Sequence, residues 1–473
     1  MITIDYDIKK QKGIISGDHI DIIREHFSIE NPAAKFFRQR RFMPKRLYAI
    51  NPQGFFDIGL IEEIKSFLAK RDINTPMQVS LAAQHVISPS YNTVAREYLN
   101  LPLRDYQLAT IEACMQAGRG VVVLGTGAGK TLVCATLIEN VYNNFKNKDL
   151  FKCLMVVPDL GLVTQTFNEF NSMGVNFTFT KWTGSNEPDL NANVIIANTS
   201  ILQSRFDASK WVEFVDLLIV DETHKAGAGT KLSKIISKIK THHKFGFTGT
   251  LPSDKMNQWS VIGKIGPVLY EKNSAELRNE NYLTNVQVFV FKINYKTKIE
   301  SNGDDPYRDE LEYLKSNTYR NKVITTVCKN HDNNTLILVN HINHGLILEE
   351  HLKQLTDKKV FFIQGEVEVE EREKIKKLME DTNNVVCVAM SSIFSTGVNI
   401  KNIHMIIFAA GGKSFIRTVQ SIGRGLRLHH TKEKLRIIDI ADNLKYSNEH
   451  AAKRQEIYQH EKISYKVQLI EEN

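Results

Sequence analysis

From about residue 96 onward, short runs of β-branched and aliphatic residues alternate with longer amphipathic stretches. A strand that is apolar on both faces must be covered on both faces, and neighbouring parallel strands need long crossovers, usually helical. The alternation therefore predicts a parallel sheet clad with helices. Five runs form a first group: Val121–Leu124, Leu154–Val157, Val194–Ala197, Leu217–Val220 and Phe245–Thr248. A polar stretch, Ser301-Asn302-Gly303-Asp304-Asp305-Pro306, breaks the rhythm and reads as a loop or part of a linker. Five more runs follow: Leu336–Val339, Val360–Ile363, Val385–Val388, Met405–Phe408 and Leu435–Ile438. The expected fold class is α/β, with two parallel-sheet domains in tandem.

Residues 1–95 lack this rhythm. Pro52-Gln53-Gly54 signals a turn, and apolar residues at 60, 61, 64, 67 and 68 then have the spacing of one helix face. A small α+β domain is expected over 1–95, followed by domains at 96–285 and 286–473. A chain of 473 residues accommodates three domains at roughly 150 residues each.

Lys and Arg outnumber Asp and Glu by 61 to 53, which permits a polyanionic partner. The basic residues crowd most densely at Lys35, Arg38, Arg40, Arg41, Lys45 and Arg46, a stretch without an acid. Phosphate contact and an ordinary solvated face both remain open there. The cysteines at 114, 134, 153, 328 and 387 are too scattered for a Cys-x-x-Cys zinc site and read as reduced structural thiols. The opening Met1-Ile2-Thr3-Ile4-Asp5 lacks a signal-peptide layout, and no run of about 18 apolar residues occurs. A soluble cytoplasmic protein without membrane contact is expected.

Chemistry concentrates after the first strand, at Gly125-Thr126-Gly127-Ala128-Gly129-Lys130-Thr131, which opens a helical pattern. Glycines let successive backbone N–H groups converge on phosphate oxygens, and the following helix N-terminus adds favourable dipole charge. Lys130 would reach the outer phosphates, and the Thr131 hydroxyl would hold Mg²⁺. Leu124 stands where the strict Gly-x4-Gly-Lys-Ser/Thr pattern has its first glycine, so Gly125 would supply the turn. Downstream, the apolar Leu217–Val220 run ends in Asp221-Glu222-Thr223-His224. Carboxylates at the carboxyl end of a buried strand would sit beside the phosphate loop. There Asp221 can hold Mg²⁺, and Glu222 can orient and deprotonate water.

With these elements in place, residues 100–445 resemble superfamily 2 helicases of the DExH type, which implies two RecA-like domains, ATP and Mg²⁺. Leu103-Arg104-Asp105-Tyr106-Gln107 resembles the Q motif, which would place Arg104 and Gln107 at the nucleotide, Gln107 on the adenine edge. Val157-Pro158-Asp159 with Gln165, and Ala197-Asn198-Thr199-Ser200, resemble motifs Ia and Ib. By that resemblance Pro158, Gln165, Thr199 and Ser200 would meet the nucleic-acid backbone. Phe247-Thr248-Gly249-Thr250 is similar to motif III, which couples hydrolysis to movement. Asn340 and His341 sit at motif IV; Ser392, Thr396, Gly397 and Asn399 sit at motif V. Of these, Gly397 and Asn399 would face the nucleotide, and the others the nucleic acid.

Gln420-Ser421-Ile422-Gly423-Arg424-Gly425-Leu426-Arg427 matches motif VI. A guanidinium supplied by the second domain stabilises charge on the transferring phosphoryl group only when the domains close. Arg427 is the expected arginine finger, with Arg424 and Gln420 beside it.

The compact layout looks most like the phage-encoded branch-migration helicases of the UvsW type. That likeness implies DNA as partner, in forks and Holliday junctions, and places the work in a host cytoplasm. An RNA helicase is the rival reading, disfavoured because Asp221-Glu222-Thr223-His224 is not Asp-Glu-Ala-Asp. A duplex translocase without strand separation and a binder that has lost turnover are further alternatives. A monomer is the favoured oligomeric state.

Overall fold

The computed structural model describes residues 1–32, 44–87, 102–296, 305–364, 369–391, 402–410, 434–460 and 463–472. The chain divides into two compact units, Met1–Gly125 with Gly129–Asn273, and Thr126–Ala128 with Ser274–Asn473.

The first unit is built on a seven-stranded, wholly parallel sheet. Its order from edge to edge is Val268–Lys272, Gly120–Leu124, His243–Thr248, Leu217–Asp221, Cys153–Val157, Val194–Asn198 and Phe179–Trp182. Gly120–Leu124 and Cys153–Val157 are buried along their whole length, as strands sandwiched between helix layers must be. All five runs expected from the sequence are strands. Two edge strands were not legible: Phe179–Trp182 and Val268–Lys272 are half-exposed and mix polar with apolar residues, so neither presents a continuous apolar run.

Before this sheet comes a smaller mixed one, ordered Phe55–Phe56, Lys12–Gly17, Ile2–Asp7 and Met77–Val79. The helix expected around residues 60–68 forms as Ile61–Lys70 and buries Ile61, Ile64, Phe67 and Leu68. This core is not closed on itself. Ile2, Ile4, Phe27 and Phe67 cluster with Trp259 and Ile262, which belong to the helix Lys255–Ile265 packed in the layer of the large sheet. The two backbones meet at Gly59, where a Cβ would lie 2.3 Å from the Ile262 carbonyl oxygen. Any side chain there would force them apart.

Arg119, only 4% exposed, ties the same junction electrostatically. Its guanidinium donates to the carbonyls of Ile265 (2.7 Å), Lys264 (2.9 Å) and Val86 (3.2 Å). These carbonyls lie at or beside the C-terminal ends of two helices, where a cation is favoured.

The second unit carries another seven-stranded parallel sheet. Its order is Lys359–Ile363, Val385–Met390, Thr335–Val339, Met405–Phe408, Lys434–Asp442, Asn285–Asn294 and Tyr465–Glu471. The five expected strands are present. Tyr465–Glu471 is mostly exposed, which hid it from a search for apolar runs, whereas Asn285–Asn294 contains such a run, Val288–Phe291, which the sequence reading passed over. Of the expected loop at 301–306, residues 301–304 lie outside the described set. Pro306 opens a helix, Pro306–Ser316, whose first turn is capped by Asp305. The two RecA-like sheets and the preceding small mixed sheet make the fold α/β, with an α+β region at the N-terminus.

Two buried acids on Lys434–Asp442 organise the second core. Asp439 accepts from Arg454 Nε through both oxygens at 3.0 Å and from the Tyr458 hydroxyl at 2.9 Å. Asp442 accepts from Arg320 at 3.1 Å and from the Tyr295 hydroxyl at 2.6 Å. All five cysteines are buried. No helix among the described residues is long and apolar enough to cross a membrane.

A buried pair is costly to break from one side, because the surviving charge stays in the core. Arg454→Ala should destabilise the protein by about 3–5 kcal/mol, measured by urea unfolding, and adding Asp439→Asn should recover part of the loss. A change below about 1 kcal/mol would show that the pair holds nothing in place.

Candidate active site

Because every strand of the first sheet runs the same way, the residues after their carboxyl ends share one edge. After Gly120–Leu124, the Gly125 amide donates to the Lys272 carbonyl at 2.9 Å and ends the strand. The loop then turns through Gly127 (φ 86°) and Gly129 (φ 80°), conformations that glycine adopts without strain. Gly129 is the N-cap of the helix Lys130–Asn144. It has a second reason to be glycine: a Cβ would lie 2.6 Å from Gln107 Nε2.

Gln107, 3% exposed, is thus seated against the glycine loop. Its Oε1 accepts from the Arg104 amide at 3.0 Å, so the N3 side chain reaches back to the residue that starts the helix Asp105–Ala117. Arg104 donates to the Tyr106 hydroxyl at 3.2 Å, and Lys272 Nζ lies 5.3 Å from the centre of the Tyr106 ring. Lys130 Nζ donates to the Leu124 carbonyl at 3.3 Å. Among the described residues it has no carboxylate within ion-pair distance, which suits an amino group meant for an anionic ligand. Thr131 follows on the first turn, so loop, lysine and hydroxyl are assembled as phosphate binding requires.

The acid pair follows Leu217–Asp221. Asp221 Oδ1 accepts from the Glu222 amide at 2.9 Å. Glu222 is held at φ 48°, ψ 48°, a left-handed conformation costing a glutamate roughly 1–2 kcal/mol. His224 Nδ1 lies 3.2 Å from Glu222 Oε2 and 2.9 Å from Thr248 Oγ1. The Thr248 hydroxyl gives its hydrogen to the Thr250 carbonyl at 2.8 Å, so it accepts from Nδ1–H, which fixes the histidine tautomer. Burial pushes the Glu222 carboxyl up, but the His224 hydrogen bond and the charges of Lys130, His224 and Lys225 outweigh it and bring the pKa down to about 2. Glu222 is therefore an anion throughout the neutral range.

Further along the edge, Thr199 Oγ1 donates to the Pro158 carbonyl at 2.8 Å and ties two strand ends together. Asn198 caps the helix Thr199–Arg205, with Ser200 exposed on its first turn. Gln165 sits one helix over and donates to Glu169 Oε1 at 2.7 Å. In the second unit, Asn340 and His341 follow the carboxyl end of Thr335–Val339.

Thus Gln107, Gly125–Thr131, Asp221, Glu222, Pro158, Thr199 and Ser200 occupy one edge of one sheet. Lys35, Arg38, Arg40, Arg41, Ser392, Thr396, Gly397, Asn399, Gln420, Arg424 and Arg427 lie outside the described residues. The sequence reading assigned no role to His224 or Lys272. Position 224, three residues past Asp221 on the turn Thr223–Lys225, was the available signal for the first.

Two domain families match in series: the type III restriction enzyme res subunit over residues 100–253, and the helicase conserved C-terminal domain over 318–429. With this pair around the edge just described, the chain belongs to the superfamily 2 helicases, enzymes that couple ATP hydrolysis to nucleic-acid unwinding. It is 27% identical over 379 residues to the ATP-dependent DNA helicase uvsW of Enterobacteria phage T4, a match covering 74% of each chain. It is also 27% identical over 371 residues to the putative ATP-dependent helicase IRC3 of Saccharomyces cerevisiae, covering 73% of this chain and 52% of that one. Among solved structures, the ATP-dependent Type ISP restriction-modification enzyme LlaBIII bound to DNA shares the fold with a TM-score of 0.60 at 15% identity, over 86% of this chain and 34% of that one.

Glu222→Gln should bind ATP and lose most hydrolysis, as should Lys130→Ala with weakened binding. Thr248→Val keeps the shape and removes one of the two acceptors that share the His224 Nδ1–H, the other being Glu222. Turnover should therefore fall about tenfold, one hydrogen bond's worth of barrier. Steady-state ATPase assays with a nucleotide-binding control check all three, and wild-type rates in Glu222→Gln would remove the assignment.

Proposed function

We propose that this chain is an ATP-dependent DNA helicase that remodels branched DNA, working as a monomer in the cytoplasm. The observation that carries the reading is the joint placement of the glycine loop, Lys130 and the ionised Glu222 on one sheet edge. The similarity to a phage DNA helicase supports DNA over RNA as the track.

Gln107 and Arg104 would hold the base end of the nucleotide, and Gly125–Thr131 its phosphates. Thr131 and Asp221 would hold Mg²⁺. MgATP, when bound, supplies the anhydride to be cleaved and the metal charge that neutralises its oxygens. Glu222 orients water and takes its proton; His224, bonded to both Glu222 and Thr248, transmits the state of that carboxylate to the loop Thr248–Thr250. Arg427, with Arg424 and Gln420, completes the site from the second domain, and Gly397 and Asn399 line its nucleotide side. Pro158, Gln165, Thr199, Ser200, Asn340, His341, Ser392 and Thr396 contact sugar and phosphate, which carry no sequence information. Lys35, Arg38, Arg40 and Arg41 add phosphate contacts from the N-terminal domain.

Branch migration suits such a compact motor, because each base pair broken on one arm is replaced on another. Plain unwinding works against stacking of about 1.4 kcal/mol per step without that return. Forks and four-way junctions should therefore be processed faster than a tailed linear duplex of equal length, measured by gel time courses with saturating ATP and repeated with RNA. Equal or faster rates on the tailed duplex would end the branch assignment, and preference for RNA would replace DNA as the track. Arg427→Ala should bind nucleotide normally yet lose turnover by roughly a thousandfold; an unchanged turnover number would place the arginine finger elsewhere.

A further inference from the structure

The amino edge of the first parallel sheet carries an unexplained accumulation of positive charge. Arg119 immediately precedes the strand Gly120–Leu124, and His242 precedes His243–Thr248, in which Lys244 is the second residue. These positions lie one strand length, about 16 Å, from the catalytic edge. They border a pocket, partly open to solvent, that is also lined by Tyr6, Gln11, Asp57 and Lys264.

Burial makes the charge significant. Arg119 is 4% exposed and Lys244 6%. Arg119 donates to the three carbonyls described above; Lys244 Nζ donates to the carbonyls of Ile236 (3.0 Å) and Ile239 (2.7 Å). Among the described residues neither has a carboxylate within ion-pair distance. Asp57 is already shared between Lys264, at 2.8 Å, and Lys12. Three full cations, Arg119, Lys264 and Lys12, and the partly protonated Lys244 thus surround one carboxylate. The carbonyls at the three helix ends offset about half a charge each, which leaves a clear positive excess. Burial, together with the same field, depresses His242 to about 4 and Lys244 to about 7, so that the imidazole is neutral and the lysine only partly charged at neutral pH. Buried charge on this scale is costly unless a counter-charge compensates it. The Tyr6 hydroxyl, the Gln11 amide and the His242 ring add groups able to donate at the mouth.

We propose that this pocket is a second anion site, distinct from the glycine loop, which takes inorganic phosphate between Arg119, Lys244 and Lys264. The depth of the cations favours a small oxyanion over a phosphodiester chain. Bound there, the anion would sit beneath the junction between the small N-terminal sheet and the large one, and strengthen it.

The test uses the full chain. Phosphate or sulfate should raise the melting temperature by about 2 °C or more beyond sodium chloride of equal ionic strength. The shift should persist in Lys130→Ala, whose glycine loop is weakened. Because truncating Arg119 threatens folding, Gln11→Glu serves as the second variant. It introduces a carboxylate at the pocket wall by a near-isosteric change, and should raise the melting temperature without phosphate while at least halving the phosphate-dependent gain. Crystals soaked in tungstate should show an anomalous peak between Arg119 and Lys244. No gain over sodium chloride, a gain abolished by Lys130→Ala, or tungstate found only at Gly125–Thr131 would each overturn the proposal.

Discussion

Strand direction is the constraint on which the rest of the first unit depends. Parallel hydrogen bonding holds Gly120–Leu124, His243–Thr248, Leu217–Asp221, Cys153–Val157 and Val194–Asn198 in one orientation. A residue following any of them must then emerge at the same edge, however far apart the segments lie in the chain. The glycine loop and the acid pair are brought together by backbone geometry before any side chain contributes. A mixed sheet would have sent some of these groups to opposite faces of the molecule.

Local chemistry then sharpens what topology assembles. Glu222 sits in a backbone conformation that its side chain does not favour, and its carboxylate is held by His224 and by the field of Lys130. Strain of this kind survives only where surroundings over-determine it. Here the surroundings include Thr248 on the adjacent strand, so the ionised acid and the loop after that strand are joined through one imidazole. Gln107 braces the other side of the glycine loop from a helix that precedes it in sequence.

Much of this was readable from residue order because the chemistry lies in short contiguous segments. Gly125–Thr131 and Asp221-Glu222 announce themselves by spacing after apolar runs, and the buried central strands by continuous aliphatic content. What escaped lacks such signals. Tyr465–Glu471 faces solvent along most of its length and presents no continuous apolar run. The His224–Thr248 contact joins residues 24 positions apart, and the approach of Arg119 to Val86 and Ile265 joins three segments. No local pattern encodes either. The cations at the amino edge look like ordinary surface residues until their burial is known.

The seam at Gly59 has a consequence for how the molecule breathes. The helix Lys255–Ile265 is buried on one side by the large sheet's layer and on the other by Ile2, Ile4 and Phe67, with Trp259 in the common core. From Trp259 to Gly263 the helix is buried throughout, so opening its inner turns disturbs the small sheet. Native-state hydrogen exchange would accordingly release this helix and the N-terminal strands together, as one opening unit that spans the two sheets.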